Sequence, residues 1–297
     1  MKSDSQSNTV ALATALAAVT IWGASPAATA VAGRSISPEL IGGLRSLLAG
    51  ILLLPLLFRF RDRLPSTRPA RLELVAGGFF GFMAYPLLLS IGVLKTSVTH
   101  ASVILASAPI FTGLFSFLIT RQWPKPPWWG GCMVSLSGIF ILVISRSPAG
   151  TTGMPATLQG DGLVLLSVLF ASAGYVFGGR SSSRIGQWPA TAWSIAVGAL
   201  AFAPFTIPEA VGFDWTVPSL FELSALAFLV LLVTIVGYAL WFHALGEAGA
   251  AAVAPLQFLQ PVVGIVVAVS LLGEALSLNT LISGAFIIFG VWLARRA

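Results

Sequence analysis

Gln257 and Gln260 stand three residues apart within residues 248 to 273, a stretch that holds no charged side chain, and Pro255 and Pro261 bracket them. On a helix that spacing puts both carboxamides on one face, and the prolines loosen the backbone around them. A carboxamide turned toward hydrocarbon gives up its hydrogen bonds with water and gains nothing in return. Their face is therefore expected to look into a protein interior, where an amide can either join neighbouring helices or bind a zwitterionic ligand. Ser107, near Pro109, offers a small polar group in a comparable setting.

The aromatic residues extend this set. All three tyrosines, Tyr85, Tyr175 and Tyr238, fall within apolar runs, as do Trp22 and Trp241. A buried tyrosine hydroxyl needs a partner, which inside hydrocarbon must be protein, trapped water or ligand. Tyr238 and Trp241 share a helical face by their spacing. Together Trp22, Tyr85, Ser107, Tyr175, Tyr238, Trp241, Gln257 and Gln260 form the candidate substrate-binding set. Trp123, Trp128, Trp129, Trp188, Trp215 and Trp292 suit an interfacial belt instead.

Three further residues are candidates for gating or coupling. Arg45 is the one charge well inside an apolar run. A cation there either faces a partner or water with a functional role, or snorkels to a helix end. His100 and His243 are the only histidines, and imidazole is the side chain that titrates nearest neutrality. The acidic residues Asp4, Glu39, Asp62, Glu73, Asp161, Glu209, Asp214, Glu222, Glu247 and Glu274 all map to connectors or helix ends. A proton carried on a mid-membrane acid is thus not expected, which leaves facilitated movement down a gradient or coupling through a histidine.

Other chemistries lack their residues. The phosphate loop GxxxxGK[ST], the GxSxG elbow and the HExxH zinc helix are missing, and the connectors carry no constellation of nucleophile, base and metal ligands. Neither an enzyme nor a bound cofactor or metal is expected. Cys132, the single cysteine, excludes an intrachain disulfide.

The elements that must hold these residues are membrane helices. Hydrophobic residues make up 57% of the 297, charged residues only 9%, and mean hydropathy is +0.93, against a usual charged share of about 25% in soluble domains. Apolar runs near 9–32, 39–58, 72–94, 98–120, 128–145, 161–179, 189–207, 219–243, 249–272 and 278–294 predict ten helices, most near the roughly 20 residues that span hydrocarbon. With a cytoplasmic amino terminus, twelve of the sixteen basic residues fall on the inner side. That bias predicts two cytoplasmic termini in a multi-pass bacterial inner-membrane protein. The net charge of +6 then reflects topology and contact with anionic lipid, not nucleic acid.

The chain also repeats itself. A shift of 152 residues lays Pro109 over Pro261 and Gly138 over Gly290, and a shift of 153 lays Tyr85 over Tyr238. Five helices per copy force the copies into opposite orientations, an inverted repeat that shares a central site. The expected division is residues 1–147, a linker at 148–160, and residues 161–297. Gly77, Gly78, Gly81, Gly264, Gly284 and Gly290 are expected to permit close helix contacts.

"IWGAS" at 21–25, "LRSLLAG" at 44–50, "GYALWFHAL" at 237–245 and "QPVVGIVVAVSLLGEALS" at 261–278 resemble the paired EamA domains of the drug/metabolite transporter superfamily. The resemblance covers essentially the whole chain. One departure is Arg121-Gln122, which stands where the second half has Gly273-Glu274. The resemblance implies an all-α integral membrane fold of ten transmembrane helices, two inverted five-helix repeats around a central cavity formed mainly by helices 1, 3, 4, 6, 8 and 9. It further implies export of amino acids and related small metabolites, with membrane lipid as the other partner. Lipophilic cations or drugs, sugar derivatives and nucleotide precursors travel on related folds, and the residues alone do not choose among them.

Overall fold

The computed structural model describes residues 2–121, 125–144, 156–253, 256–257 and 259–295, among which every regular element is helical. The apolar runs fold as α1 (Lys2–Gly23), α2 (Ser25–Ala32), α3 (Pro38–Leu52), α4 (Leu54–Arg59), α5 (Arg68–Phe79), α6 (Tyr85–Val93), α7 (Val98–Leu105), α8 (Ala108–Thr120), α9 (Pro126–Ile144), α10 (Leu158–Ile185), α11 (Gln187–Gly212), α12 (Leu220–Phe228), α13 (Gly237–Val253), α14 (Leu259–Leu272) and α15 (Leu278–Arg295). π-helical segments at Phe80–Ala84 and Leu229–Val236 join α5 to α6 and α12 to α13 as continuous rods.

Six stretches are long and apolar enough to cross a membrane: Val10–Ala32, Arg68–Val93, Val98–Ile119, Leu158–Ile185, Gln187–Gly212 and Leu220–Ala244. At 1.5 Å per residue they reach about 33–42 Å, enough for a hydrocarbon core of about 30 Å. Large apolar side chains such as Phe140, Leu200, Phe205 and Leu271 face outward. In water such a surface would aggregate; in a bilayer it is the face that lipid requires.

Several runs expected as single helices are split. The breaks after Gly23, Leu52 and Leu105 are each followed by a helix with proline in its first turn, namely Pro26, Pro55 and Pro109. The missing proline N–H has no helical partner to lose there. The run expected over 249–272 is corrected most. The helix from Gly237 continues through Val253 and a new one starts at Leu259, with Pro261 again in the first turn. Gln257 and Gln260 therefore do not share one helical face. Glu247, expected in a connector, lies inside α13, and Pro255 lies outside the described residues.

The helices pack in matched sets. α1 lies against α13 as α10 lies against α6, and α1 meets α14 as α10 meets α8. α3 packs on α11, α7 on α14, and α9 on α15. In the last pair the Ser135 hydroxyl donates to the Ile287 carbonyl, 3.1 Å away and 152 residues on. A Cβ on Gly138 would sit 2.7 Å from the Ser283 carbonyl oxygen, and one on Gly290 would sit 2.5 Å from the Gly131 carbonyl oxygen. Gly138 and Gly290, 152 residues apart, thus each make room for the other helix's backbone. Among the described residues a Cβ on Gly284 would meet nothing within 4 Å, so its expected role in packing is not met there.

Candidate functional site

At the centre stands Trp22, whose sequence neighbours Gly23 and Ala24 end α1. Its ring stacks on Tyr175 with centroids 5.8 Å apart and an interplanar angle of 14°. Tyr238 and Trp241 lie 5.0 and 5.4 Å from it. Phe82 packs on the far side of this group, 4.5 Å from Tyr238. Aromatic pairs at such separations contribute beyond the area they bury, and the cluster joins α1, α10 and α13.

The π-helical segments explain how this centre is held. In the second, the N–H of Gly237 bonds the carbonyl of Leu232, five residues back. The Val233 carbonyl, which an α-helix would pair with Gly237, accepts instead from the indole Nε1 of Trp22 at 3.0 Å. In the first, Pro86 has no N–H to give the Phe82 carbonyl four residues back, and the Ser46 hydroxyl donates to that carbonyl. Each segment runs directly into one of the aligned tyrosines, Tyr85 or Tyr238. π insertions recur at functional sites because they free backbone groups and re-aim side chains.

Beside this cluster is a small cavity lined by Trp22, Tyr85, Leu105, Ala108, Val168, Ala171, Tyr175 and Gln260. Its volume is about 10 Å³, close to the least that holds one water. α1, α6, α7, α8, α10 and α14 all contribute. The Ala108 carbonyl, at the break between α7 and α8, accepts from Ser172 of α10 at 3.1 Å. Of the expected binding set, Trp22, Tyr85, Tyr175 and Gln260 line this cavity, and Tyr238 and Trp241 back it through Trp22. Ser107 is buried in the break before α8 but donates back to the Ile104 carbonyl of α7, 2.7 Å away, and Gln257 is buried without lining the cavity.

Arg45 is 2% exposed, so it does not snorkel. Its guanidinium lies over the Tyr85 ring, 6.0 Å from the centroid. The two remaining candidates sit apart from the cavity. His243, half-buried, has Nδ1 3.0 Å from Gln187 Nε2. His100 is buried, with Nδ1 3.2 and 3.3 Å from the two carboxylate oxygens of Asp161.

Asp161 and Glu274 make buried hydrogen bonds that the sequence did not single out. Asp161 also accepts from Thr96 Oγ1 at 2.6 Å. Glu274 accepts from the N–H groups of Val98 and Thr99 at 2.8 and 2.9 Å and from Thr99 Oγ1 at 2.6 Å. It thereby places a carboxylate at the N-terminus of α7, where orphan donors and the helix dipole favour one. At the other end of α10, Glu73 holds Arg180 at 2.8 Å and Arg184 at 2.5 Å. Asp161 and Arg180 lie roughly 28 Å apart along α10, so polar ties secure both ends of the helix that carries Tyr175. The one signal for these ties in the sequence was position: acids near helix starts and arginines near helix ends.

Residues 9–144 and 158–296 each match the EamA-like transporter family. The chain belongs to this family. It is a multi-pass membrane transporter, and its relatives are named as transporters, which argues against catalysis as its role. It is 27% identical over 281 residues to the uncharacterized transporter YdeK of Bacillus subtilis, covering 94% of each chain. It is 28% identical over 282 residues to the uncharacterized inner membrane transporter YedA of Escherichia coli K12, covering 92% of this chain and 86% of that one. A probable amino-acid metabolite efflux pump of Salmonella typhimurium is 26% identical over 289 residues, with coverage of 94% and 92%. One solved crystal structure superposes on this EamA-like chain with a TM-score of 0.62 over 96% of both chains, at 18% identity.

Proposed function

We propose that this EamA-like transporter exports amino acids and related small metabolites across the bacterial inner membrane by alternating access. On this reading the chain spans the membrane ten times as two inverted five-helix halves, residues 1–147 and 161–297, joined by residues 148–160. Both termini are cytoplasmic. Trp22, Tyr85, Tyr175, Tyr238, Trp241 and Gln260 hold the substrate, with Ser107 and Gln257 in their support.

The observation that carries the reading is the small cavity beside paired π-helical segments, one before Tyr85 and the other before Tyr238. A site built by matched elements from two halves is what an inverted repeat supplies. The matched helix pairings and the mutual Gly138 and Gly290 contacts support the same symmetry. A volume of about 10 Å³ is far too small for an amino acid, so transport requires the halves to part on one side or the other. The efflux pump of Salmonella typhimurium supports the substrate class.

Uptake of a panel of radiolabelled amino acids into proteoliposomes, with and without an imposed pH gradient, tests the proposal. Saturable uptake is expected; dependence on the gradient would assign coupling to His100 or His243. Absence of uptake of every amino acid by folded protein would overturn the substrate class.

A further inference from the structure

Arg45 is the largest of the fully buried side chains. Its Nε and Nη1 are buried and have no hydrogen-bond partner, and the guanidinium forms no ion pair among the described residues. The buried acids bond other residues, Asp161 with His100 and Thr96 and Glu274 with Thr99. A buried charge left unpaired in this way is strongly unfavourable unless something else compensates it. The Arg45 guanidinium lies over the Tyr85 ring, 6.0 Å from its centroid, and Tyr85 lines the central cavity together with Tyr175.

We infer that Arg45 forms an oxyanion-binding site in the transport pathway, and that the transported molecule carries one carboxylate attached to an apolar body. The inference rests on the reading of the central cavity as the transport site. A guanidinium supplies planar N–H donors matched to a carboxylate. One unpaired cation balances one negative charge, which favours a monocarboxylate over a doubly charged phosphate. The aromatic lining of Trp22, Tyr85 and Tyr175 accommodates an apolar remainder, and the Gln260 carboxamide oxygen can accept from an ammonium group. Cations without a carboxylate are repelled by Arg45. The same donors could hold inorganic chloride, so the test separates the two sources of negative charge.

The experiment is thermal stabilisation of the purified wild-type protein by four probes of one shape: phenylalanine, 3-phenylpropionate, phenylalaninamide and phenethylamine, each in chloride and in chloride-free buffer. Stabilisation by the two carboxylates and not by the amide or amine, in both buffers, is expected. Stabilisation by the amine or amide without the carboxylates overturns the inference and leaves the cavity as a transport site for cations. Stabilisation by chloride that the carboxylates neither match nor compete with also overturns it. No response to any probe overturns both the inference and the reading it rests on. Arg45→Gln should weaken carboxylate binding at least tenfold, with Arg45→Lys between it and wild type. Affinity within twofold of wild type in folded Arg45→Gln protein contradicts the assignment; if that variant does not fold, the wild-type probe series decides.

Discussion

The Trp22 indole donates across 211 residues of sequence to the Val233 carbonyl, 3.0 Å away, inside a π-helical segment that has released that carbonyl from its own helix. Trp22 therefore ties α1 to the rod that carries Tyr238 while it lines the cavity. Trp22→Phe keeps an aromatic ring and leaves the carbonyl without this donor, a change of about 1–3 kcal/mol. Reduced thermal stability of that size, together with slower transport by the protein that remains folded, is the expected outcome. Unaltered stability would mean that the hydrogen bond contributes nothing.

Arg121 and Gly273 close α8 and α14 with left-handed backbone, at φ 56° and 64°. They are 152 residues apart, so the two halves end matched helices in the same way. Arginine pays a steric cost there that glycine avoids, about 1–2 kcal/mol, partly offset by glycine's greater freedom in the unfolded chain. Arg121→Gly should raise thermal stability by up to about 1 kcal/mol and Gly273→Ala should lower it by about 1 kcal/mol. Opposite signs in a detergent melting experiment would contradict this assignment.

His100 and Asp161 are 1% and 3% exposed, and their buried contact is separate from the cavity. Loss of one partner from a buried hydrogen-bonded pair leaves the other unsatisfied, at about 1–3 kcal/mol and more for a charged group, whereas apolar replacement of both can be nearly neutral. His100→Leu and Asp161→Leu should each destabilise strongly, and the double variant should recover much of the loss. Additive losses in the double-mutant cycle would show that the two side chains do not act as a pair.

Glu274 caps α7 from the end of α14 with three hydrogen bonds. Hydrogen bonds to a charged group contribute about 1.5–3 kcal/mol. Glu274→Gln, which keeps the shape and removes the charge, should cost about 2 kcal/mol in chemical unfolding. A loss of less than a few tenths would leave the cap without energetic weight.

Much of this was legible from residue types. Apolar runs located the helices because a bilayer tolerates few other patterns, and alignment of Tyr85 with Tyr238 led to the aromatic cluster. The π-helical segments were not legible: Phe80–Ala84 and Leu229–Val236 are as apolar as an α-helix, and only backbone hydrogen bonds distinguish them. The glutamine pair misled for a related reason, since spacing implies a shared face only on one uninterrupted helix, and α14 starts at Leu259. Asp161 read as a helix-start acid, which it is. Its bond to His100 depends on tertiary packing that sequence spacing does not encode. Arg45 showed its cost in the sequence, but not that its Nε and Nη1 would lie buried and unpartnered, with the guanidinium over the Tyr85 ring.

Access to the cavity from both sides is the central claim, and Ala171 is placed to test it. Ala171 lines the cavity on α10, and the one native thiol, Cys132, is buried and can be replaced by alanine. Ala171→Cys in that background, exposed to a membrane-impermeant maleimide in right-side-out and then inside-out vesicles, should react from both sides, with substrate altering the two rates. Labelling from a single side in a protein that still transports would contradict alternating access at this cavity.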